Sequence, residues 1–142
     1  MQEPEPAGIP SAQRCIVAAI LLGGCIATGL AVHTLLPDTA ATDIAGDALY
    51  ALAALALVAA IAPRLAPVLA GAIALAWCAG VELFQLTGIP LALGAVFPPA
   101  MLVLGTVFDP RDLLVYAVMV AVATGGWVTA AAVTQRQEPR RP

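Results

Sequence analysis

One stretch of this sequence sets a carboxylate and a carboxamide inside an apolar run long enough to cross a membrane: Val81-Glu82-Leu83-Phe84-Gln85. Their three-residue spacing puts Glu82 and Gln85 on one helix face, where both can act on a common partner. A carboxylate near hydrocarbon is expensive unless it is protonated, paired or hydrated, so Glu82 is a functional-site candidate whose partners must come from elsewhere in the chain. Three chemistries are open. Glu82 could help bind the polar headgroup of a lipid, or act as the general base of an intramembrane enzyme. It could also lock neighbouring helices through hydrogen bonds worth on the order of 0.6 kcal/mol each. The enzyme reading lacks a nucleophile paired with a base, a metal-ligand set and an oxyanion donor. Glu82 is therefore its sole catalytic candidate, and no metal or cofactor is expected.

The elements that position these groups are set by composition. Of 142 residues, 61% are apolar and 11% charged, and the mean hydropathy is +0.95, which points to an integral membrane protein embedded in a lipid bilayer. The net charge of −3 and the lack of lysine leave no basic surface to neutralise a phosphate backbone, which sets nucleic-acid binding aside. Cys15, Cys25 and Cys78 lie in apolar stretches without CxxC spacing, and His33 is the single histidine. They read as small buried hydrophobes rather than zinc ligands or disulfides.

Four apolar runs are expected to form an all-α bundle of four transmembrane helices over residues 15–133. Residues 1–14 form a proline-rich, disordered cytoplasmic tail, and 134–142 a basic cytoplasmic one. Span one runs from Cys15 to Leu36. It exceeds a signal-peptide core of about 7 to 15 residues and follows Glu3 and Glu5, which favours a retained anchor. Pro37 ends it. Span two runs from about Asp47, or from Ile44 if its first turn is included, to Ala62, with Thr42 or Asp43 as cap. Pro63 to Pro67 is a tight turn, and span three follows from Val68 to about Thr87. Residues 88–108 are apolar but broken by Pro90, Pro98 and Pro99, which predicts short interfacial or re-entrant pieces rather than a fifth span. Span four runs from Asp112 to Val133. Before it, Asp109-Pro110-Arg111-Asp112 fits a helix start, with Asp109 as N-cap and Asp112 either reaching back as in a capping box or facing the bundle.

Charge orients the bundle. Four spans put Arg14, Arg64 and the three C-terminal arginines on one side, which the positive-inside rule makes cytoplasmic. A fifth span would export the last three. The same topology sends Asp47, Glu82, Gln85, Asp112 and His33 toward the outer leaflet, with Tyr116 one turn below Asp112. These six residues are the expected polar site. His33 is also readable as an interfacial residue.

The segments GDALYAL, VELFQ and LVLGTVFDPRDLLVYAV, in this order, resemble the bacterial domain-of-unknown-function family 2809. That family is similar in layout to the VanZ-like membrane proteins. The resemblance covers roughly residues 15–133. It implies that Glu82 and Gln85 correspond to the VanZ-like E-x-x-Q pair, Asp47 to the acid opening the second helix and Asp112 to the acid opening the last. It also implies a cell-envelope role. The chain departs from the VanZ-like pattern where that pattern has basic or histidine residues, here Ala48 and Ala51. It departs again at Tyr116 and Met119, where asparagine and glycine are usual, and no arginine lies between Gln85 and Asp109.

Overall fold

A computed structural model describes residues 11–137, and these are helical almost throughout. Residues 1–10 and 138–142, most of the two expected tails, lie outside the described residues. The tail residues that are described belong to helices, because α1 (Ser11–Leu35) starts at Ser11 and the last helix continues to Gln137. Four helices are long and apolar enough to cross a membrane: α1, α2 (Ala40–Ile61), α3 (Pro67–Gln85) and, counting from the N-terminus, the sixth, α6 (Pro110–Gln137). At about 1.5 Å per residue, even the 19 residues of α3 approach the roughly 30 Å of a hydrocarbon core. Between α3 and α6 the prolines act as expected. Residues 88–108 form α4 (Ile89–Val96), a single tight turn at Pro98–Ala100 and α5 (Met101–Leu104).

The start of α2 corrects the expected boundary. Thr39, not Thr42 or Asp43, is the N-cap: its hydroxyl accepts the Thr42 N–H, while the Thr42 hydroxyl accepts the Thr39 N–H. This reciprocal pair starts the helix at Ala40 and places Asp47 two turns inside it. A threonine at the fourth position of a capping box is harder to see in a sequence than the usual glutamate. Pro67, expected in the turn, stands at the first helical position and opens α3 one residue before the expected Val68.

The helices do not contribute equally. α2, α3 and α6 pack against one another, whereas α1 lies along α2 alone. Ala51, Ala70, Ala74 and Cys78 are fully buried where the three meet, beside Leu55, Tyr116 and Val120. In lipid there is little apolar driving force between helices, so close approach of small side chains holds them. Gly71 shows how close: a methyl group there would collide with the Thr124 side chain of α6. Large apolar side chains instead cover the outside, among them Ile20, Val68 and Val122, each about two-thirds exposed, as expected of a surface that meets acyl chains.

Candidate functional site

Glu82 lies in the last two turns of α3 and is 1% exposed. Both its oxygens are occupied. Oε1 accepts from Gln85 Nε2 and from the Tyr116 hydroxyl, each at 3.2 Å, and Oε2 accepts the Asp109 N–H at 3.3 Å. The last contact explains the start of α6. Asp109 caps it as expected, its Oδ1 accepting the Arg111 N–H at 2.8 Å. The N-cap's own N–H is one of the orphan donors of a helix start, which a capping box gives to the fourth residue, here Asp112. Glu82, from a different helix, takes that place. The Asp112 side chain is thereby released from the backbone and faces Asp47 on α2.

The neighbouring side chains do the same for other main-chain groups. Gln85 Nε2 also donates to the Leu104 carbonyl at 3.0 Å. The Tyr50 hydroxyl donates to the Val103 carbonyl at 2.7 Å and accepts the Trp77 indole N–H at 3.1 Å. Val103 and Leu104 end α5, where carbonyls have no partner further along the helix. Gly105 then turns the chain at φ 63° and ψ −164°, a region open essentially to glycine, and a Cβ there would strike the Gln85 carboxamide. Side chains from α2 and α3 thus converge on residues 103–109, and Tyr116 of α6 supports them through Glu82. Tyr50 and Tyr116 close the assembly, their ring centroids 5.9 Å apart and tilted by 48°.

Of the six expected site residues, Glu82, Gln85 and Tyr116 share one hydrogen-bond network, and Asp47 and Asp112 adjoin it. Both aspartates are half-buried, and neither carboxylate is paired with a cation among the described residues, where the one ion pair joins Arg111 to Asp109 at 3.1 Å. His33 stands apart. It lines a small cleft of about 130 Å³ with Asp38, Thr42 and Asp43, between the end of α1 and the start of α2. The separation follows from α1 packing on α2 only, so that its polar end never reaches α3 or α6. Asp109, exposed at the rim, is held below the usual carboxylate range by the Arg111 N–H and then by its guanidinium. The Gln85 Oε1 is buried without a partner. Among the described residues, no three His, Cys, Asp or Glu side chains stand together in a metal-binding group.

Tyr50, Trp77, Gly105 and the Asp109 main chain are members that side-chain chemistry alone passes over. A signal for two of them exists. Tyr50 follows Asp47 by three residues, and Trp77 precedes Gln85 by eight, so each shares a helix face with an expected member.

Four apolar spans, with an irregular segment tied to them by intrahelical carboxylate, carboxamide and phenol groups, define an all-helical, multi-pass membrane protein. Within that class the chain belongs to the family described as Protein of unknown function (DUF2809), whose profile matches residues 36–119. The matched stretch begins directly after α1 and contains every member of the Glu82 network, together with Asp47 and Asp112. No curated protein and no solved structure matches the chain.

Proposed function

We propose that this is a VanZ-like protein of a bacterial inner membrane, with both termini cytoplasmic, whose polar end lies in the outer leaflet and binds a lipid headgroup or envelope precursor. In this reading Asp47 and Asp112 meet the ligand, and Glu82, Gln85 and Tyr116 position them. The observation that carries it is the pairing of two half-buried carboxyl groups with no cation of their own. Such a pair attracts an ammonium group or sugar hydroxyls and repels phosphate. Residues 88–108 are then an interfacial or re-entrant segment whose Val103 and Leu104 carbonyls are satisfied by Tyr50 and Gln85, with Glu82 taking the Asp109 N–H that follows, as irregular backbone at membrane depth requires.

A purely structural role has its own support, since Glu82 ties together Gln85 of α3, the Asp109 main chain and Tyr116 of α6. The same fact weighs against Glu82 as a general base, because both its oxygens are engaged and it is almost wholly buried. One experiment separates the readings. The full chain is purified in detergent and titrated with phosphatidylethanolamine or a neutral glycolipid, and retention is read by native mass spectrometry. Headgroup binding predicts that the double change Asp47→Asn, Asp112→Asn weakens retention about tenfold, the worth of one charge-assisted hydrogen bond. Unchanged retention in a folded double variant leaves the structural role.

A further inference from the structure

The opposite end of the molecule carries a second feature, independent of the Glu82 network. Because the backbone of α1 packs on α2 but not on α6, a groove of about 390 Å³ runs between α1 and α6 with α2 as its floor. Its walls are apolar, including Val17, Leu21 and Cys25 of α1, Leu55 and Ala59 of α2, and Ala123 of α6. This is within the range of about 300–1,000 Å³ common for ligand sites. From Arg14 to Cys25 it follows α1 for about 16 Å at 1.5 Å per residue. That is close to half the roughly 30 Å hydrocarbon core, the depth of one leaflet.

Arg14 stands at the end of the groove. Its guanidinium lies over the Trp127 ring, 5.0 Å from the centroid, and donates to the Leu65 carbonyl at 3.3 Å. One acceptor and an aromatic face fix the guanidinium while leaving most of its five N–H donors unused. Gln13 lines the same mouth, and Arg64 precedes the residue that Arg14 bonds. Among the described residues no acid lines this groove, so its charge is the opposite of that at the Glu82 end.

We propose that this groove holds one acyl chain of an anionic glycerophospholipid, with the lipid phosphate on Arg14. The apolar length fits a chain of one leaflet, and the fixed cation at its end recognises the phosphate. The lipid then fills the gap between α1 and α6, which Arg14 and Trp127 bridge only at its end.

The test compares phosphatidylglycerol with phosphatidylcholine of identical acyl chains, titrated into the detergent-purified full chain and read by native mass spectrometry. The monomer is expected to retain one phosphatidylglycerol in preference to phosphatidylcholine. Arg14→Gln should remove the preference with about a tenfold loss of phosphatidylglycerol. Val17→Trp, which fills the groove, should release both lipids. Retention of phosphatidylethanolamine at the Asp47–Asp112 pair should not respond to either change. As a measurement that needs no variant, one equivalent of phosphatidylglycerol with brominated acyl chains should quench Trp127 fluorescence more than its phosphatidylcholine counterpart. Equal retention and equal quenching by the two lipids would overturn the proposal, as would a dimer of this chain that excludes both.

Discussion

The two ends of this molecule solve opposite problems. At the Glu82 end, a short irregular segment lays main-chain N–H and C=O groups against the spans, and four side chains answer them: Glu82, Gln85, Tyr50 and, through Glu82, Tyr116. At the Arg14 end the backbone is regular helix and tight turn, and one guanidinium spans α1, the turn at Leu65 and α6. Polar residues within apolar spans can therefore serve the backbone of their own chain as readily as a ligand. A cation at the edge of an apolar groove has few such internal duties.

If the first end is built to hold residues 103–109, breaking its centre should cost most. Glu82→Leu leaves the Tyr116 hydroxyl and the Asp109 N–H unpaired, for a loss of about 2–6 kcal/mol at about 1–3 kcal/mol per stranded donor. Reversible unfolding in mixed detergent micelles would measure it. Arg14→Gln, at the other end, should change that stability far less. Gly105→Ala comes next. It forces alanine into a glycine conformation against the Gln85 carboxamide and should cost about 1–3 kcal/mol by the same assay. Tyr50→Phe removes the bond to the Val103 carbonyl and should cost about 0.5–1.5 kcal/mol, with a shift in Trp77 emission as its indole loses an acceptor.

The smallest effect belongs to the rim. The pKa of Asp109 is depressed in the folded protein, so its contribution is complete above the unfolded value of about 3.9 and is lost as pH falls through its lower folded value. Asn keeps the capping oxygen but not the charge. The difference in thermal midpoint between wild type and Asp109→Asn should accordingly be small at neutral pH and vanish in acid. A difference that grows on acidification would contradict this sign.

Much of the architecture was legible because bilayer thickness and proline chemistry act on local sequence. Length and hydropathy identify the four spans, Pro98 and Pro99 divide the segment before α6, and Asp109-Pro110 marks where α6 begins. The shared face of Glu82 and Gln85 was legible for the same reason. Their partners were not, because those partners are largely main-chain groups at residues 104 and 109, which every residue type carries. Asp112 illustrates the consequence. Local spacing allows it a capping bond, and only the approach of α3 shows that Glu82 already makes it. His33 failed to join for a different reason. All four spans are comparably apolar, so hydropathy does not reveal that the backbone of α1 packs on α2 alone.

Amide hydrogen exchange across residues 97–109, compared between wild type and Glu82→Gln in the same detergent, tests most directly whether Glu82 holds this segment. Glu82→Gln leaves one acceptor oxygen where the carboxylate has two, so the Asp109 N–H must compete for it with the Gln85 and Tyr116 donors. Exchange should therefore accelerate at Asp109 and its neighbours while α1 and the Arg14 end keep their protection. Unchanged protection at residues 97–109, or a loss spread evenly over the whole chain, would contradict a local clasp centred on Glu82.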